Sequence, residues 1–105
     1  MISKELLSKV LGYKQPDVIK LYGKTDVTLV FGDDMVSINI YELAHKCKEW
    51  AKRTGFMIES DNMNEARVYP TDENGWILKK EIEFLEDSEP EAVFKACEWI
   101  LKKTK

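Results

Sequence analysis

The sequence predicts a single α+β domain: a mostly antiparallel sheet of five to six strands, two long helices packed side by side on it, and a short N-terminal helix. Three observations lead there. Two well-capped segments, Asn39–Gly55 and Ser88 to about Lys103, carry apolar residues at helical spacing. Before and between them lie short runs rich in β-branched and aromatic residues, punctuated by Gly, Asp and Asn clusters. The length, 105 residues, is that of one domain with one modest core.

The N-terminal helix follows from Ser3 as N-cap, with Ile2 and Leu7 at the staple positions and Leu6, Leu7, Val10 and Leu11 on one face. Gly12 supplies a left-handed stop, and Pro16 blocks continuation. Val18–Tyr22, Val27–Phe31 and Met35–Ile38 then read as a strand meander, with turns at Gly23-Lys24 and Gly32-Asp33-Asp34. The middle strand is apolar at both Leu29 and Val30, so it is expected to be central and covered on both faces.

The next helix has the clearest signature. Asn39 and Glu42 make a capping-box variant, Ile38 and Leu43 a staple, and Ile40, Leu43, Ala44, Cys47, Trp50 and Ala51 an apolar stripe. Glu42–Lys46 and Glu49–Arg53 are spaced as i, i+4 ion pairs in the favoured orientation, and Gly55 ends the helix. Phe56–Glu59, Ala66–Tyr69 and Trp76 to about Phe84 are the following strands, with Pro70–Gly75 as a hairpin connection. The last helix opens on Ser88-Glu89-Pro90-Glu91, with proline where its missing N–H matters little, and buries Val93, Phe94, Ala96, Cys97, Ile100 and Leu101. No linker divides the chain, so residues 1–105 read as one domain.

Composition narrows the function classes. A net charge of −3 and a pI near 5.2 argue against nucleic-acid binding, whose phosphate contacts need clustered Lys and Arg. The charge is uneven, +2 over residues 1–55 and −5 over residues 56–105. Met1 leads into Ile2-Ser3-Lys4-Glu5 rather than an apolar leader, and no apolar run is long enough for a membrane span. The expectation is a cytoplasmic chain with no membrane contact. Its two cysteines, Cys47 and Cys97, are then most simply reduced core thiols, although a bridge is conceivable if the two helices lie side by side.

Reactive chemistry is sparse. His45, the only histidine, falls on the solvent side of its helix with Tyr41, Lys48 and Lys52, and no nucleophile accompanies it. One His and two separated Cys do not make a zinc site. Asp61–Ala66 superficially resembles a calcium loop but has Met63 and Ala66 where an oxygen ligand and a glycine are needed. The five glycines form no phosphate loop. The expectation is therefore no enzyme, no cofactor and no metal.

Partner binding is the reading that remains. Trp99 lies at the edge of its helical stripe beside Ala92, and aromatic residues half in and half out of a core favour interfaces. With the acidic run Glu81, Glu83, Glu86 and Asp87 they make the candidate partner interface. The partner expected is another protein, with a homodimer among the options. Two alternatives use charge: the acidic run through Glu89 and Glu91 as an inhibitor or DNA mimic of a nucleic-acid enzyme, or weak nucleic-acid binding through Tyr41, Lys46, Lys48, Lys52 and Arg53.

From Ile38 onward the chain resembles small, mostly uncharacterised phage and prophage proteins of the phage α/β/α-sandwich type. The resemblance rests on Ile40-Tyr41-Glu42-Leu43-Ala44, the Thr54-Gly55-Phe56 exit into a strand, and Glu89-Pro90-Glu91-Ala92-Val93-Phe94-Lys95-Ala96. It implies a helix–strands–helix unit in a phage-encoded accessory protein, with no catalytic residues to carry over.

Overall fold

Each helix starts where a side-chain oxygen satisfies its first free amides. In the computed structural model, which describes residues 1–105, α1 (Lys4–Leu11) begins with Ser3 Oγ accepting from the Leu6 amide at 3.1 Å. Asn39 Oδ1 accepts from Tyr41 (2.9 Å) and Glu42 (3.4 Å) to open α2 (Ile40–Arg53). Ser88 Oγ accepts from Glu91 at 3.3 Å to open α3 (Glu89–Lys103), with Pro90 in the first turn.

Six strands form, but in two sheets rather than the single sheet expected. β1 (Val18–Tyr22), β2 (Asp26–Phe31) and β3 (Asp34–Asn39) make one antiparallel meander. β4 (Phe56–Ser60), β5 (Glu65–Pro70) and β6 (Ile82–Leu85) make the other. Asn39 is at once the last residue of β3 and the cap of α2, so the chain passes from the first sheet into the helix without an intervening turn.

A further correction concerns Trp76 to Phe84. Only Ile82–Leu85 is strand; Trp76 closes a turn and Ile77 makes a lone bridge to Thr71. The Leu78 amide reaches the Pro70 carbonyl and the Glu81 amide the Val68 carbonyl, both at 2.9 Å. One side thus advances three residues while β5 advances two, which is a bulge at Lys79-Lys80.

The two long helices do pack side by side, and together they cover one face of β4-β5-β6. Phe56, Ile58, Ala66 and Val68 point into that layer. The opposite face, with Met57, Tyr69, Arg67, Glu83 and Leu85, has no helix over it. α1 packs on α2 and α3, adding Leu6, Leu7 and Val10 to a single cluster of 23 buried apolar residues. In the meander β2 is central, as expected, and its consecutive residues Val27, Thr28 and Leu29 are all buried, so both of its faces are covered there, while the flanking β1 and β3 bury no residue.

Cys47 and Cys97 meet at the α2–α3 contact as free thiols, the Cys97 Sγ donating toward the Cys47 carbonyl at 3.5 Å. The neighbouring Cys97 thiol and burial both push the Cys47 thiol upward, away from thiolate. No helix is long and apolar enough to cross a membrane.

Candidate functional site

The residues nominated from the sequence do not form one surface. Ala92 is fully buried, on the core side of α3, and is not available to a partner. Trp99 is half-buried: its ring meets Phe56 edge-on at 6.0 Å, and Lys103 Nζ lies 4.8 Å from the ring centroid. The acids are spread out and several are engaged. Glu81 pairs with Lys103 at 2.8 Å and Glu83 with Lys80 at 3.0 Å, and Lys80 holds the Glu83 carboxyl below its usual range. Glu89 accepts from Ser60 Oγ at 2.6 Å, and Glu91 meets the N-terminal ammonium at 3.2 Å. Glu86 and Asp87 carry no ion pair, but their backbones tie to Asn64: the Glu86 amide donates to the Asn64 carbonyl, and Asn64 Nδ2 donates to the Asp87 carbonyl.

His45 stands in solvent, its side chain 73% exposed, with Nε2 3.3 Å from Glu49. It rims a shallow hollow of about 90 Å³ that also touches Ser60 and Glu89. This arrangement lacks the buried acid that would tune an imidazole for proton transfer. No group of three or more His, Cys, Asp or Glu side chains is gathered for a metal ion.

Two features stand out that the sequence reading did not single out. The first is the end of the β5–β6 hairpin. Asp72 builds the turn: its Oδ1 accepts from the Asn74 and Trp76 amides at 2.9 Å each, its amide donates to the Trp76 carbonyl at 3.0 Å, and its carbonyl accepts from Gly75 at 3.0 Å. Gly75, at φ +83°, allows the chain to close. The product is a well-tied loop that leaves Trp76 73% exposed, next to exposed Ile77 and Leu78. Ile77 borders a 580 Å³ groove along β4 with Met57, Tyr69 and Lys48, while Leu85, 71% exposed, lies on the same uncovered sheet face. Arg67 sits at the centre of that face, bonded to Glu59 (2.9 Å), Asp61 (3.1 Å) and Glu65 (3.3 Å), which raises its own pKa. The Asp72-Glu73-Asn74-Gly75 cluster was the available signal: it placed Trp76 at a turn exit rather than within a strand.

The second feature is a cleft of about 330 Å³ between α1, the meander and α2. Val10, Leu11, Leu29, Val36 and Ile38 supply its apolar lining and Tyr13 an aromatic wall. Along α2 it is bordered by Glu42, Lys46, Glu49 and Arg53. The ion pairs expected among these four do not close: neither Glu42–Lys46 nor Glu49–Arg53 comes within 4.0 Å, and Glu49 turns to His45 instead. Four charges thus line an apolar cleft with no intrahelical partner in the stripe. Lys48, which with Tyr41, Lys52 and His45 lies on the other flank of α2, borders different hollows, so the basic residues of this helix are split between two sides.

Comparison with known proteins adds no relative: no family model, no curated protein and no solved structure matches the chain.

Proposed function

We propose that this chain is a non-enzymatic accessory protein that acts by binding another protein, of the phage and prophage kind that its α2–β4–β5–β6–α3 half resembles. The observation that carries the reading is Trp76. A tryptophan in water on a loose loop is unremarkable, but here four hydrogen bonds to Asp72 hold the loop that displays it. Such an anchor is ordered before any partner arrives, which reduces the entropy lost on binding. Ile77 and Leu78, exposed beside it, extend the apolar area, and the Arg67 cluster further along the same face gives it a polar, net acidic neighbour.

The test is capture of partners from the source cell with wild type and Trp76→Ala side by side. Loss of a tryptophan anchor weakens binding by about 2 kcal/mol or more, or roughly thirtyfold. Trp76→Ala should therefore lose a partner that the wild type holds, with its thermal midpoint unchanged. Asp72→Ala, which frees the loop but keeps the indole, should weaken capture less. Equal capture by wild type, Trp76→Ala and Ile77→Asp would remove this surface as the binding face.

A further inference from the structure

We propose that a second copy of this chain docks along α2, the two helices running antiparallel about a two-fold axis so that Glu42 meets Arg53 of the other copy and Lys46 meets Glu49. This deepens the protein-binding reading by naming one partner. It uses a face separate from Trp76, so each can fail without the other.

Glu42, Lys46, Glu49 and Arg53 are separated by four, three and four residues. At 100° per residue this puts all four in one narrow stripe, about 16 Å long at the helical rise. The order of charges is minus, plus, minus, plus. Reversing the stripe end for end gives plus, minus, plus, minus at the same spacing, because four-three-four reads identically in both directions. The stripe is therefore its own electrostatic complement under a two-fold rotation, and an isologous interface requires that property of a surface. All four pairs come into register at once: the outer two join Glu42 to Arg53, the inner two Lys46 to Glu49.

The surroundings favour the same occupant. Within the chain these charges leave the stripe unpaired, apart from the contact of Glu49 with the exposed His45. The adjoining cleft is apolar along Val10, Leu11, Val36 and Ile38. Lys46 and Arg53 carry long aliphatic stems, which can cover apolar surface while their heads reach a carboxylate. Val36 and Tyr13, both exposed beside the stripe, extend the area a second copy would cover. A nucleic-acid strand would meet Glu42 and Glu49 as repulsive groups two turns apart; a second copy turns each of them into a partner.

The experiment is sedimentation equilibrium of the whole chain over a wide concentration range, at low and high salt. Wild type should dimerise, and added salt should weaken the dimer because the pairs are at the surface. Lys46→Glu places an acid against Glu49 twice per dimer, and Glu49→Lys places a base against Lys46 twice. Each alone should weaken self-association at least about tenfold, with the thermal midpoint recording that each variant is folded. Mixing the two variants restores all four attractive pairs, so the mixture should form a one-to-one heterodimer at near wild-type affinity. Joint substitution, Lys46→Glu with Glu49→Lys, should restore the homodimer. A wild type that stays monomeric throughout would overturn the proposal, as would single variants that dimerise like wild type or a mixture that stays monomeric. In each of those cases capture through Trp76 is still open to its own test.

Discussion

The two sheets have the same number of strands and comparable apolar content, yet only one of them has a face sealed by helices. Helices α2 and α3 lie across β4-β5-β6 and bury Phe56, Ile58, Ala66 and Val68. The β1-β2-β3 meander has only the start of α2 and the rim of α1 beside it. It buries Val27, Thr28 and Leu29 and leaves Val18, Leu21, Met35 and Val36 exposed. The residues left out are as apolar as those taken in. What differs is whether another layer removes them from water, since hydrophobic stabilisation follows area buried and not residue type. The helix–strands–helix half holds most of the core, and the meander joins it through buried Val27 and Leu29 of β2, with half-buried Ile19 and Ile38 of the flanking strands packed alongside.

The sharpest way to break that comparison is Phe94→Ala. Phe94 is 1% exposed in the middle of α3, and such a truncation costs about 3–5 kcal/mol. Against the usual total of about 5–15 kcal/mol this should lower the denaturant midpoint of the whole molecule or unfold it. Leu29→Ala, at the one well-buried strand of the meander, should cost about 2–4 kcal/mol by the same measurement. Hydrogen exchange should separate the halves further: amides of β1 and β3 should open well below the global free energy, while those of β5, α2 and α3 approach it. Equal protection throughout would refute the division.

Smaller effects sharpen the picture at its joints. Asn39→Ala removes the cap shared by β3 and α2 and should lower stability by about 1 kcal/mol in a thermal melt. Acid titration probes the uncovered face. The Met63 amide, then Arg67, holds the Asp61 carboxyl below its ordinary 3.8. A carboxylate lowered in the folded state contributes fully above its unfolded value, and the contribution fades as pH falls through the folded one. Stability should therefore decline below about pH 4, and Arg67→Gln should make that decline shallower. Met35→Ser, on the outer face of the meander, should move stability by no more than about 0.5 kcal/mol.

Much of the fold was legible because it is written in local chemistry. Ser3, Asn39 and Ser88 cap helices wherever those helices go, and the stripes through Cys47 and Cys97 bury whatever lies opposite. The surfaces were less legible for a complementary reason. Ala92 and Trp99 share one helix edge in sequence, but α3 is covered on both sides of that edge, by the sheet and by α1 and α2, so Ala92 disappears while Trp99 comes to rest on Phe56. The acids from Glu81 to Glu91 are close in the chain, but Glu81, Glu89 and Glu91 find partners far away, at Lys103, Ser60 and the N-terminus, while Glu83 turns to nearby Lys80. Trp76 was assigned to a strand because its neighbours alternate; the Asp72 turn and the bulge at Lys79-Lys80 overrode that pattern.

By itself the sequence determined the α+β class, the helix caps, most of the strand positions and the four-three-four charge stripe on α2. These depend on contacts within a turn or two of chain. Only the tertiary structure decided that the strands divide into two sheets, that one of them is left half uncovered, and that the stripe borders an apolar cleft. Those outcomes depend on which layers come to face each other, and no short segment carries that information.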